Sequence, residues 1–230
     1  MEGTIEQAPP GEGVDEEPQA VGPSWGLLEA IHAPANYDEY LSSGEAAQIQ
    51  EQFRANSFEP GRQVMWSDVP REWVQTWADE NHLQTLSTAM GPLMLKYHGR
   101  CLKSKKSKEQ WTQCIKGASR IFALYVPKGH EVTVLTRPPP NKFHPMGLST
   151  YQSVEEPILK GMEGGEPVSR IDLVHLTVAN ASDFRYQIWP EDRTHLWIDR
   201  YKLHELRKHY RRTAKRYVDI VPMRCRRRGI

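Results

Sequence analysis

Arg170-Ile-Asp-Leu-Val-His-Leu-Thr-Val178 is the stretch whose reading decides the fold. Ile171 and Leu173 fall on one face of an extended chain; Val174, Leu176 and Val178 fall on the other. A strand with one wet face alternates apolar and polar residues, whereas a strand covered on both faces does not. The stretch therefore predicts a central strand in a sheet with helices on both sides. Working outward, Glu131-Val-Thr-Val-Leu-Thr136 lies between Gly129 and the triple proline Pro138 to Pro140 and reads as a second strand. Phe184 to Trp189 reads as a third, and Leu83 to Thr88 as a further candidate.

Helical signals separate these segments. Ser42-Ser-Gly-Glu45 is a capping box that opens a helix to about Asn56. Asp68-Val-Pro-Arg-Glu-Trp-Val-Gln-Thr-Trp77 follows, with Asp68 placed to cap, Pro70 tolerated in the first turn, and Trp73 and Trp77 on one face. Lys96 to Lys108 is basic and reads as an exposed loop. Ser107-Lys-Glu-Gln110 is a second capping box. Behind it Trp111, Cys114, Ile115, Ala118, Phe122 and Tyr125 recur at helical spacing and are expected to face the core. Ser153-Val-Glu-Glu156 opens a short helix to Lys160, and Pro190-Glu-Asp192 opens another, whose face carries Leu196, Leu203, Leu206 and Tyr210. The order predicts an α/β or α+β fold, a small mixed sheet covered by helices.

The ends differ from the middle. Residues 1–24 are rich in Glu, Gly and Pro and are expected to stay disordered, because they hold too little apolar surface to repay ordering. Residues 25–60 read as short helices packed on the core. Residues 61–216 read as the globular domain with a basic C-terminal helix, and residues 217–230 as a basic tail. The chain of 230 residues has a formal charge of +1, yet Met1 to Pro60 holds twelve acidic residues and one basic, Arg54. Arg200 to Ile230 holds twelve basic residues against Glu205 and Asp219. Such asymmetry suggests charged surfaces that meet each other or different partners.

Composition excludes several classes. No run of about 18 apolar residues exists, so no membrane association is expected. Met1 to Val21 has no basic start and no apolar run, unlike a secretory signal. Three cysteines, Cys101, Cys114 and Cys225, suit free thiols in a reducing compartment, so an intracellular location, cytoplasmic or nuclear, is expected. Cys101, Cys114, His130 and His144 are ligand types that zinc prefers, but no Cys-x-x-Cys knuckle brings them together. No metal is expected. The nucleophile-elbow, P-loop and zinc-deaminase motifs are also missing.

Two constellations remain as functional candidates. The segment Arg137 to Glu156 follows the end of a predicted strand, where open sheets place ligands. It gathers Arg137, Lys142, His144, Ser149, Thr150, Tyr151, Gln152, Glu155 and Glu156 on an irregular path set by prolines and Gly147. An acid–base pair of His144 with Glu155 or Glu156, and Arg137 as a cation for a carboxylate or phosphate, would make it catalytic, with His175 on the facing strand. The second is the run Arg207-Lys-His-Tyr-Arg-Arg-Thr-Ala-Lys-Arg216. On a helix Arg207, Arg211 and Lys215 align, as do Lys208 and Arg212, and Arg216 extends the charge. Such a face, with Tyr210 and Tyr217 interleaved, suits a polyanion: RNA, DNA or an acidic protein.

Two local likenesses carry nothing over. Lys128 to Arg137 resembles the helix-to-strand joint of nucleotide-binding Rossmann units, but no Gly-x-Gly-x-x-Gly turn is present, so no cofactor is implied. Arg137, Ser149-Thr150 and Glu155 follow in the order used by ADP-ribosyl transferases. Tyr151 stands where their third serine would be, and Glu155 comes too soon for a separate strand. Two classes are therefore expected: an intracellular binding or regulatory protein acting through Arg207 to Arg216, or an enzyme with its site in residues 137–156.

Overall fold

The computed structural model describes residues 39–201 apart from 56–57, 127 and 164–165. Residues 1–38 and 202–230, which include most of both charged ends, the run Arg207 to Arg216 and Cys225, lie outside the described residues. Four strands, β1 (Val64–Trp66), β2 (Glu131–Leu135), β3 (Arg170–Val174) and β4 (Tyr186–Trp189), form one sheet in the order β1-β2-β3-β4. β1, β2 and β3 run parallel and β4 runs antiparallel to β3, with Thr133 opposite both Val64 and Asp172, and Asp172 opposite Gln187. The sheet is small and mixed, and β3 is internal as its two apolar faces require.

Parallel neighbours cannot be joined by a tight turn, so helices fill the crossovers. α1 (Ser43–Ala55) precedes the sheet. α2 (Arg71–Glu80), α3 (Leu86–Met90) and α4 (Lys108–Leu124) lie between β1 and β2. A π-helical turn, Tyr151–Glu155, runs into α5 (Glu156–Leu159) before β3, and α6 (Thr194–Tyr201) follows β4. One face of the sheet packs Val64, Leu135 and Val174 on Val74, Trp77 and Ala78 of α2. The other packs Met65, Val132, Val134, Ile171 and Leu173 into the main core with α1, α3, α4, α5 and α6. That core includes the rings of Phe53, Phe58, Phe122 and Tyr125, with Phe53 and Phe58 stacked at 5.1 Å.

Both capping boxes form. Ser42 N–H donates to Glu45 Oε2 at 2.9 Å, and Gln110 N–H donates to Ser107 Oγ at 3.2 Å. Three expectations are corrected. Asp68 does not cap α2; its φ of 57° puts it in a turn, Pro70 takes the cap position, and the Trp73 and Val74 N–H groups bond to the Pro70 carbonyl. Leu83 to Thr88 is not a strand. Thr85 caps α3 by accepting from Thr88 N–H, and only a single bridge, Gln63 to Gln84, joins this segment to the sheet edge. The spacing of Leu86, Ala89 and Met90, three then one, suits a helix face rather than a strand. In the basic loop Cys101 and Leu102 are buried, and Leu102 N–H donates to the Leu93 carbonyl at 3.0 Å.

The α4 stripe splits into two parts. Cys114, Ala118, Phe122 and Tyr125 are buried, whereas Trp111 and Ile115 are half-buried. The last described helix starts at Thr194, later than the sequence suggests, because Asp192 accepts from Thr194 N–H at 2.9 Å. Trp197 is its buried anchor, whereas Leu196 is exposed. Leu203, Leu206 and Tyr210 lie outside the described residues.

The split stripe gives a stability test. Phe122→Ala should cost about 3–5 kcal/mol, as expected of a fully buried ring. Trp111→Ala should cost clearly less. Urea unfolding of both variants reads the difference; equal losses would contradict the half-buried position of Trp111.

Candidate functional site

β1 is an edge strand, and its C-terminal end opens into a cavity of about 550 Å³. Binding cavities for small molecules typically span ~300–1,000 Å³. α4 supplies one wall with Trp111, Ile115, Ser119 and Phe122, a spacing of four, four and three that keeps them on one face. Met65 and Trp66 of β1 with Leu86 and Met94 add apolar surface. The exposed cations Arg71 and Lys103 stand at the mouth, as does Asp68. The π-helical turn brings in Tyr151 and Glu155.

The π-turn has a local cause and a chemical result. Glu156 N–H bonds to the Tyr151 carbonyl, five residues back, which widens the turn. Tyr151, Val154, Glu155, Ile158 and Leu159 then share one inward face. A glutamate therefore occupies a position on an apolar stripe. Glu155 is 6% exposed, and burial pushes its carboxyl up from 4.5 to about 7, partly offset by a hydrogen bond with the Ser119 side chain. Tyr151 is 1% exposed and stacks on Phe143 at 5.1 Å. Burial first, then the charges of Glu156 and Glu155, push its hydroxyl well above its ordinary value, so it stays protonated.

Two hydroxyls at the cavity are unsatisfied. Neither Tyr151 Oη nor Ser67 Oγ has a hydrogen-bond partner among the described residues, although both are buried. Such groups cost roughly 1–3 kcal/mol each when left unpaired. Gln63, Arg120, Thr177 and Trp197 also hold one buried unpaired atom each, but none of these four lines the cavity.

Of the site residues read from the sequence, the structure places Ser149, Thr150, Tyr151 and Glu155 in the cavity wall. Arg137 is exposed and donates from Nε to the Asp68 carbonyl at 3.1 Å, which sets a guanidinium against the turn at the mouth. His144 accepts from Met146 N–H through Nδ1 at 3.2 Å, and Glu156 pairs with Lys160 at 2.6 Å. Neither lines the cavity. Lys142 bonds to Asp192 at 3.1 Å and to the Thr194 hydroxyl at 2.7 Å.

His175 is fully buried, with Nδ1 3.0 Å from the Thr136 carbonyl and Nε2 2.9 Å from the Tyr186 hydroxyl. A carbonyl only accepts, so Nδ1 carries the proton and Nε2 accepts from Tyr186. Burial pushes this imidazole down to about 4. It is a neutral tie between the end of β2 and β4. The thiols of Cys101 and Cys114 are free and buried, and burial pushes Cys114 up to about 11. Among the described residues no three His, Cys, Asp or Glu gather as a metal-binding group, and no helix is long and apolar enough to cross a membrane.

Ser67, Ser119, Trp66, Trp111, Arg71 and Lys103 were not singled out as site residues by the sequence. One signal was legible: Glu155 falls three or four positions from Tyr151 and Ile158, on an apolar face where an acid is out of place.

The raised carboxyl makes stability pH-dependent. The folded chain holds the Glu155 proton more tightly than the unfolded chain, so its contribution is full below pH 4.5 and is lost as pH rises through about 7. Glu155→Gln keeps a hydrogen-bonding group and cannot ionise. The variant should gain on the wild type by up to ~3 kcal/mol between pH 4 and pH 8. Unfolding at both pH values checks this, and a constant difference would mean that Glu155 titrates normally.

Comparison of the chain with known protein families, with curated proteins and with solved structures finds no match in any of the three, so function has to be argued from the geometry of this cavity.

Proposed function

We propose that this chain is an acid–base enzyme that takes a small ring-bearing substrate into the cavity beside β1 and moves a proton with Glu155. The observation that carries the proposal is the set of buried polar groups that line one cavity together with aromatic side chains. Glu155 touches no cation there, and the Tyr151 and Ser67 hydroxyls lack partners among the described residues. A carboxyl poised near neutrality is an effective proton acceptor. Two neutral hydroxyls can donate to an oxygen on which negative charge develops. Together they suit removal of a proton next to a carbonyl: Glu155 takes the proton, and Tyr151 and Ser67 hold the resulting enolate oxygen. Trp66, Trp111 and Phe122 provide an aromatic wall for a flat ring.

The experiment is deuterium exchange. Small cyclic ketones incubated with the full chain in heavy water should exchange the hydrogens beside the carbonyl, read by proton NMR. The rate should rise with pH through about 7, because the carboxylate is the active form. Glu155→Gln should lower it by about 100-fold or more, and Tyr151→Phe by about tenfold or more. Ketones that quench Trp111 emission yet exchange no faster than in buffer would overturn the acid–base role.

A second reading rests on charge alone. Six of the ten residues from Arg207 to Arg216 are basic, which supports binding of RNA, DNA or an acidic protein through that segment. Filter binding of the full chain to single-stranded RNA should then weaken steeply with salt. Replacing Arg211 and Arg212 with Ala should flatten the logarithmic salt slope by at most about two. No retention at low salt would dismiss this reading.

A further inference from the structure

We infer that the molecule taken by this cavity carries an anionic group on its flat ring, a carboxylate or a phosphate, held at the mouth by Arg71 and Lys103; this rests on the cavity being a binding site, as proposed above. The lining is graded in burial: Glu155, Ser119, Tyr151 and Ser67 are buried, the last two with unpartnered hydroxyls; Trp66 and Trp111 are half-buried; and the cations Arg71 and Lys103 are exposed. Lys103 holds its ammonium 5.8 Å from the centre of the Trp111 ring, which keeps the charge beside the wall against which a ring would lie. Arg71 opens α2 and lines the same cavity.

Neither cation is in an ion pair among the described residues. Arg137 adds a third positive group, since its Nε–H is bonded to the carbonyl of Asp68 in the cavity wall. The acidic group at the mouth is Asp68 itself, so the cations there outnumber the acid. The opposite ligand, a ring bearing an ammonium aimed at Glu155, would have to pass Arg71 and Lys103 on entry. A neutral ring would leave both cations without an anionic partner. A ring with a hydrogen-bonding group at one end and an anion at the other matches all three parts of the lining.

Four probes share one ring and differ in charge: benzoate, phenyl phosphate, benzamide and benzylammonium. Each is titrated into the full chain at low salt while tryptophan emission is followed, with Trp111→Phe used to assign the signal. At least one of the two anions should bind about tenfold more tightly than benzamide. That ratio should collapse towards one in the Arg71→Gln, Lys103→Gln double variant and in about 0.5 M salt, where exposed charges are screened. Comparison of benzoate with phenyl phosphate tells which anion the mouth prefers. Equal binding of benzamide and both anions would overturn the inference while leaving the cavity as a binding site, as would benzylammonium binding most tightly. No binding by any probe would overturn the cavity itself, and the inference with it.

Discussion

The parallel pairing of β2 with β3 is the constraint from which most of the molecule follows. Val132, Val134, Ile171 and Leu173 face one side of the ladder, and Leu135 and Val174 the other, so neither side can meet water. Parallel strands also need long connections, and those connections supply the cover. The β1–β2 crossover sends α2 to one face and α4 to the other. The β2–β3 crossover brings the π-helical turn and α5 against α4. One consequence is positional. Both crossovers leave from the C-terminal ends of the strands, so Trp66, Ser67, Asp68, Thr136 and Arg137 gather at one end of the sheet, beside the cavity.

Some buried polar groups are satisfied and serve the scaffold, and two unsatisfied hydroxyls line the cavity. Asp172 is buried, and its carboxylate accepts from Arg170 Nε–H at 2.7 Å. His175 has a partner on each ring nitrogen. Tyr186, Phe184, Trp197 and Tyr201 close around it, with the guanidinium of Arg200 4.7 Å from the Phe184 ring. Asp172 and His175 are satisfied, and the cluster around His175 holds β3, β4 and α6 together, although Trp197 Nε1 within it has no partner among the described residues. The hydroxyls of Tyr151 and Ser67 are not satisfied, and Glu155 has a serine but no cation. A chain under selection for stability alone would place apolar residues there.

Elements with a strong local signal were legible in the sequence, and those decided by tertiary context were not. The capping boxes at Ser42 and Ser107 and the two-faced strand at Arg170 each announce themselves within a few residues. Leu83 to Thr88 misled because two leucines and two threonines in a short segment imitate a strand, while the helical cap at Thr85 depends on one hydroxyl. Asp68 misled because the turn after β1 gives it a positive φ, which places its side chain out of capping position. The candidate site was half legible. The polar segment Arg137 to Glu156 does contribute Ser149, Thr150, Tyr151 and Glu155, but Ser67 comes from the end of β1, and Trp111 and Ser119 come from α4. Only the fold brings them together, and charge and spacing in one segment could not reveal them.

His175 and Glu155 show why sequence alone ranks such residues poorly. A histidine on the central strand looks more reactive than a glutamate on a short helix, since its ordinary titration lies near neutrality. Burial reverses the order. The same desolvation drives the imidazole down to about 4, where it is an inert neutral group at physiological pH, and drives the carboxyl up to about 7, where it exchanges protons readily. Partners complete the distinction. Both nitrogens of His175 are occupied by the backbone and by Tyr186, so no ligand is needed to satisfy it. Glu155 lines open volume whose wall also holds the unpaired hydroxyls of Tyr151 and Ser67. Burial sets the proton affinity of both residues, but the empty space beside one of them is what makes it a candidate for chemistry.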